Sequence, residues 1–433
     1  MSAKHSPETA VDAPKATDSE SDTTPRPTDP TDRILSLDVL RGFALLGILV
    51  INIWLFALPM IGWLNPALYG DFSGINYAAW FVSHVFFEHT FITLFTFLFG
   101  AGIVLFMESK EQKGQPARRL HFRRGFWLLV IGLAHAYLLW YGDILVTYAL
   151  CGFLVVFVRN WRPKRLLALG LVMFSLPAAF YLLSGVGYAV ADAATQAEIE
   201  EGILAGFGAD QGGIDEEIAT YQGGWLEQME HRVSTSLTLQ TVGFALESFW
   251  SYGGLMIVGM ALYKWGVLTN QRSTRFYRRL FAGGALAGLA LILTGVWYRE
   301  LVGWDTAQVL LLAHQFNYWG SLLLALAYVS GIMLLCRAAA GGRVTTALSA
   351  VGRTAFSNYL LQTVLATTIF YGHGLGLFGT LSRVELLGIV ALIWAIQIPL
   401  SVAWLNRFRF GPVEWLWRTL TYGERQPMRL ERE

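Results

Sequence analysis

The chain has 433 residues, of which 54% are hydrophobic and only 15% charged, with 28 Phe and 16 Trp. Soluble domains average about 25% charged residues, so this deficit, with its apolar runs of roughly 20 residues, predicts an all-α polytopic membrane protein. Net charge is +1, from 32 basic and 31 acidic residues, which leaves no electrostatic footprint for nucleic acid. The two cysteines, Cys151 and Cys336, lie in separate apolar runs and are expected as buried thiols rather than a disulfide or zinc site.

Residues 1–32 hold five of the 13 prolines, ten Ser or Thr and seven acidic residues, and read as a disordered cytoplasmic tail. The tail lacks the basic-then-apolar order of a secretory signal, so the first apolar segment reads as an uncleaved span. About ten spans follow, near 37–58, 90–108, 125–143, 144–159, 166–188, 236–262, 279–298, 310–336, 354–371 and 385–405. Each is long enough to cross roughly 30 Å of hydrocarbon at about 1.5 Å per residue. They divide into an N-terminal membrane region over 33–188, an extracytoplasmic loop over 189–235, and a C-terminal membrane region with a cytoplasmic tail over 236–433. Lys and Arg crowd alternate connections: Lys110, Lys113, Arg118, Arg119, Arg123 and Arg124 in one, Arg159, Arg162, Lys164 and Arg165 in another, with ten acidic residues in the 189–235 loop. Because basic residues accumulate on the cytoplasmic side, both termini are expected there.

Polar residues at membrane depth ask for a partner or a role. In chain order, Asp38 and Arg41 stand three apart on one helical face, either as an ion pair or as part of a seat for an anionic cofactor. Asn52, eleven residues beyond Arg41, reaches mid-membrane and offers an amide to an oxyanion or to a neighbouring helix. His84, Glu88 and His89 miss the spacing of the zinc-protease helices by one residue, and the segment Tyr77–His89 is expected to be an interfacial helix with its polar groups toward water and no metal. Gly100 and Gly102 allow close helix packing or backbone approach to a ligand. His135, eleven residues beyond Arg124, is the candidate general base. Asp143 follows it by eight residues, so the two meet only if the Trp140–Asp143 hairpin bends. Gln362 falls at the same level and Asn358 nearer the cytoplasm. Residues 411–417 read as an amphipathic segment at the headgroups.

Several segments together resemble the YeiB-like proteins, domain-of-unknown-function family 418. They are Arg33 to Asn52, Phe99 to Gly102, Gly132 to His135 with Trp140 to Leu145, Ser357 to Thr363, and Gly411 to Arg418. The first span is also similar to that of membrane acyltransferases, including the lysosomal heparan-alpha-glucosaminide acetyltransferase, which share a Leu-Asp-x-x-Arg-Gly opening. In the heparan-type enzymes a catalytic His follows the residue matching Asn52 by eleven positions, where this chain has Trp63. This resemblance implies acyl transfer from cytoplasmic acyl-CoA to a glycan, lipid or small-molecule acceptor across a bacterial inner membrane. In that scheme His135, Asp143 and Asn52 act on the reacting group. Arg41, Asp38, Gly100, Gly102, Asn358 and Gln362 lie on the cofactor's side. The expected partners are membrane lipids and the acceptor, with homo-oligomerisation left open. A transporter or lipid exporter using the same polar layers is the alternative; a structural or signalling protein is a third.

Overall fold

The structure, a computed structural model, describes residues 34–208 and 211–430, so the tail expected to be disordered lies outside the described residues. Their regular secondary structure is helical apart from one β-bridge, Phe408 with Arg429. The N-terminal half comprises α1 (Leu35–Ala57), α2 (Met60–Leu64), α3 (Gly74–Phe86), α4 (Thr90–Gln112), α5 (Ala117–Leu138), α6 (Leu145–Val155) and α7 (Pro163–Val190). Next come α8 (Ala193–Gly206), α9 (Gln211–Gln222) and α10 (Met229–Thr238), the last continuing through a π-helical segment, Leu239–Ser248, into α11 (Phe249–Lys264). The remainder is α12 (Thr274–Leu301), α13 (Thr306–Gln308), α14 (His314–Ala338), α15 (Arg343–Arg353), α16 (Ala355–Phe370), α17 (Arg383–Leu405) and α18 (Pro412–Tyr422). A π-helical segment, Val309–Ala313, links α13 to α14.

Local chemistry fixes several starts. Pro163 opens α7 at the one position where its missing N–H costs nothing. Ser273 accepts from the Phe276 N–H at the head of α12, and Ser382 with Glu385 forms a reciprocal capping box at α17.

Each of the ten predicted spans coincides with a helix, and seven helical segments are long and apolar enough to cross a bilayer. The protein is thus a multi-pass, all-helical membrane protein. The other three predicted spans fall on α5, whose first two turns carry Arg118, Arg119, Arg123 and Arg124, and on the shorter α6 and α16. The 189–235 segment, expected as a loop, instead folds into α8, α9 and α10. Its ten acidic residues mask helical periodicity from a hydropathy reading, while Asp192 caps α8 by accepting from the Thr195 N–H.

Two glycine crossings hold the centre together. A Cβ on Gly42 would fall 1.9 Å from the Leu348 carbonyl oxygen, and one on Gly352 would fall 1.9 Å from that of Asp38, so α1 and α15 touch backbone to backbone. Gly100 meets the Met256 carbonyl and Gly259 that of Phe97 in the same way, locking α4 to α11. Small residues are how membrane helices approach closely enough for dispersion to bind them. These contacts fix α1 and α4 as facing walls of a single space.

Candidate functional site

That space is a cavity of about 490 Å³. Along α1 it is lined from Asp38 to Leu55, a distance of roughly 25 Å at about 1.5 Å per residue, so it runs most of the thickness of a bilayer.

At one end the lining is cationic. Arg41, Arg124, Arg353 and Arg418 face two carboxylates, Asp38 and Glu414. Arg41 Nη1 donates to Asp38 at 2.8 Å. Glu414 is spent elsewhere: it accepts from the Phe356 N–H at 2.6 Å, from the Ser357 N–H at 3.2 Å and from the Ser357 hydroxyl, so it caps the head of α16. Arg124 lies over Trp417 with its guanidinium 4.3 Å from the ring centroid, while the Trp417 indole donates to the Arg124 carbonyl at 2.9 Å. Arg353 keeps a buried Nε without a hydrogen-bond partner. Thus α18 borders this mouth of the cavity, because Glu414 and Trp417 find polar and aromatic partners on α16 and α5, while Arg418 lies over Phe410.

The middle is apolar, with Leu45, Ile48, Phe95, Leu98, Phe99, Leu128 and Leu145 among the lining residues. Asn52 and Gly102 border it, and the Asn52 amide makes no hydrogen bond among the described residues. Gly100, by contrast, packs on α11 outside the lining. At the far end stand Trp63, Glu88 and His89.

His135 and Asp143 do meet. Helix α5 stops at Leu138 and the turn brings Asp143 back, so Nδ1 of His135 donates to Asp143 Oδ2 at 2.7 Å, while the other Asp143 oxygen accepts from the Val146 N–H and caps α6. Nε2 lies 2.9 Å from the Thr363 hydroxyl. The pair is buried one layer behind the cavity: Trp140 and Tyr359, which do line it, have ring centroids 6.4 and 5.2 Å from the imidazole. Asn52, His135 and Gln362, though placed at one level by their spacing, do not share the cavity: of the three only Asn52 borders it. Gln362 donates to Gln397 at 3.0 Å, and Asn358 donates to Thr354 and Ser401, so both serve as buried ties between α16 and its neighbours.

The His84 region is also corrected. Rather than facing water, His84 is 2% exposed. Its Nε2 accepts from Arg299 Nη1 at 2.9 Å, so Nδ1 carries the proton donated to Glu88, and Asn317 donates to the His84 carbonyl at 3.1 Å. Two of these partners lie more than 200 residues away, beyond the reach of any local pattern. Among the described residues no group of three or more His, Cys, Asp or Glu is arranged to hold a metal ion. Sequence reading also missed Arg353, Glu414 and Arg418 as cavity residues, although the 411–418 segment marked the place.

A multi-pass helical protein built around a membrane-deep cavity with a cationic mouth is the class this architecture defines. The chain belongs to the DUF418 family, described as proteins of unknown function, whose pattern matches residues 262–424. It is 32% identical over 420 residues to the uncharacterized protein YxaH of Bacillus subtilis (strain 168), covering 93% of this chain and 98% of that one. It is likewise 32% identical over 395 residues to the uncharacterized protein YeiB of Escherichia coli (strain K12), covering 90% and 96%. No solved structure matches.

Proposed function

We propose that the protein is an acyltransferase of the bacterial inner membrane, with ten spans and both termini cytoplasmic, that moves an acyl group from cytoplasmic acyl-CoA to an extracytoplasmic or lipid-linked acceptor. The observation that carries this reading is the cavity itself: arginines at one end, an apolar middle, and polar residues at the other. Four arginines against two carboxylates, one of them committed to a helix cap, leave positive charge for the phosphates of coenzyme A. Asn52 offers an amide at the level where the thioester would sit. His135, oriented by Asp143, is the proton-handling pair behind the wall, and its imidazole reaches the cavity by movement of Trp140 or Tyr359.

Purified protein incubated with radiolabelled acetyl-CoA and longer acyl-CoAs, in the presence of membrane lipids and glycans, should yield labelled product. His135→Ala should lower the rate by about 10²-fold or more, and Arg41→Ala should weaken acyl-CoA binding first, because a proton carrier acts in the transition state and a phosphate contact in the ground state. A cavity reaching most of the way across also supports the second reading, a transporter or exporter. Solute movement without any acylated product would decide for it.

A further inference from the structure

The turn that returns Asp143 to His135 is braced by a buried cation from another part of the chain. Arg232 of α10 is 2% exposed, and among the described residues it pairs with no carboxylate; the titratable groups that face it are Tyr221, Tyr371 and His373. Its Nη2 donates to the Trp225 carbonyl at 3.1 Å, and its Nη1 donates at 2.8 Å to the carbonyl of Leu138, the last residue of α5. The Trp225 indole nitrogen donates to the same Leu138 oxygen at 2.8 Å, and the Ser236 hydroxyl donates to the Ala136 carbonyl at 3.3 Å. A buried charge without a counter-ion is costly, and so is a helix end whose carbonyls lack donors. Here each supplies what the other lacks, and the cation also meets the negative end of the α5 dipole.

The end of α5 decides the geometry of the imidazole–carboxylate pair. His135 lies in the last turn, where its own carbonyl accepts from the Leu139 N–H at 2.9 Å and the Trp140 N–H at 3.0 Å. The chain then leaves the helix, and Asp143 meets Nδ1 of His135 at 2.7 Å while its other oxygen caps α6. Fraying α5 by one residue, or carrying it on by one, would swing the chain's exit through about 100° and shift it about 1.5 Å along the axis. A displacement of that size breaks a hydrogen bond. The same outer segment flanks the turn: the Tyr141 ring centroid lies 6.3 Å from that of Tyr221 on α9 and 6.3 Å from that of His231 on α10.

We propose that Arg232 is a positioning residue for the His135–Asp143 pair, acting through the Leu138 carbonyl. By fixing where α5 ends it keeps the Asp143 carboxylate on the imidazole, so α10 belongs to the proton-handling apparatus without touching substrate. The proposal takes the chemical role of the pair from the acyl-transfer reading.

The test follows the His135 Nδ1 proton, which a carboxylate partner moves far downfield in the proton NMR spectrum, in full-length protein isotope-labelled on histidine and held in lipid nanodiscs. Asp143→Asn identifies the resonance by its upfield shift. Arg232→Gln removes the charge and cannot span both carbonyls, so exchange of that proton with water should quicken about tenfold or more, the worth of one hydrogen bond. Arg232→Lys, which keeps a charged donor for Leu138, should recover part of the protection, and Trp225→Phe, which removes only the second donor, should give a smaller increase. In Arg232→Gln kcat should fall with KM for acyl-CoA unchanged. Wild-type exchange in Arg232→Gln overturns the proposal even where melting temperature drops, because that pattern belongs to a helix cap alone. Should Arg232→Gln fail to reach the membrane, wild-type exchange in both Arg232→Lys and Trp225→Phe overturns it equally. Faster exchange in these variants, with no acylated product from the wild type, supports the positioning role and overturns acyl transfer instead.

Discussion

At the scale of single residues, Glu217 behaves as a pH-sensitive pin outside the membrane-spanning segments. Both its carboxylate oxygens lie 3.2 Å from the Met60 N–H, and burial pushes its pKa up from the usual 4.5 to about 7. A carboxyl whose folded pKa is raised holds its proton more tightly in the folded state. Its contribution to docking α9 is therefore complete below about 4.5 and is lost as pH rises through 7. The shift corresponds to roughly 3 kcal/mol at the outside. The protection of α9 amides, with the intrinsic pH dependence of exchange divided out, should fall between pH 5 and pH 8 in the wild type (about a hundredfold at most), and Glu217→Gln, which keeps the acceptor without the charge, should abolish that fall; an unchanged protection profile in the variant would refute it. The same scale explains why His135 was half legible. Depth arithmetic gave its level, but the direction a side chain faces around a helix is set by what packs there, and Thr363 lies 228 residues further on.

Among elements, the α1–α15 crossing is the most demanding contact. A methyl group on either Gly42 or Gly352 would stand 1.9 Å from a backbone oxygen of the opposite helix, and backbone yields less readily than a side chain. Gly352→Ala should separate the two helices, cost about 1–3 kcal/mol or more, and lower both membrane abundance and detergent melting temperature; Gly102→Ala, where a Cβ meets nothing within 4 Å, should leave both unchanged. The helices themselves were readable because apolar runs of span length have few alternatives in a bilayer. Helices α8 to α10 were not, since their charged residues outweigh short apolar stripes such as Ile199 and Ile203 of α8 or Ile218 and Tyr221 of α9. The inward face of α3 was hidden because Arg299, the partner that makes His84 a buried residue, belongs to α12.

For the whole molecule, the proposed orientation places α8 and the α4–α5 connection on opposite sides. Cys151 and Cys336 are buried, so labelling of introduced thiols is clean. An impermeant maleimide applied to intact cells should modify Ala197→Cys and spare Gln112→Cys, and the opposite pattern would reverse the direction assigned to the cavity. The distribution of arginines along that cavity would then point its cationic mouth outward, and the acyl donor could not be cytoplasmic coenzyme A.

The position of α18 at that mouth has a consequence for how the protein is made. Its charged lining joins Asp38 and Arg41 to Glu414 and Arg418, residues from the two extremities of the described chain. During synthesis the first helices enter the membrane long before the ribosome reaches Pro412, so the nascent protein passes through a stage in which α16 lacks its Glu414 cap and Arg124 lacks Trp417. A chain truncated after Gly411 should therefore insert and remain in the membrane yet expose the head of α16 to protease. Supplying Pro412–Glu433 as a separate peptide should restore protection in proportion to its concentration.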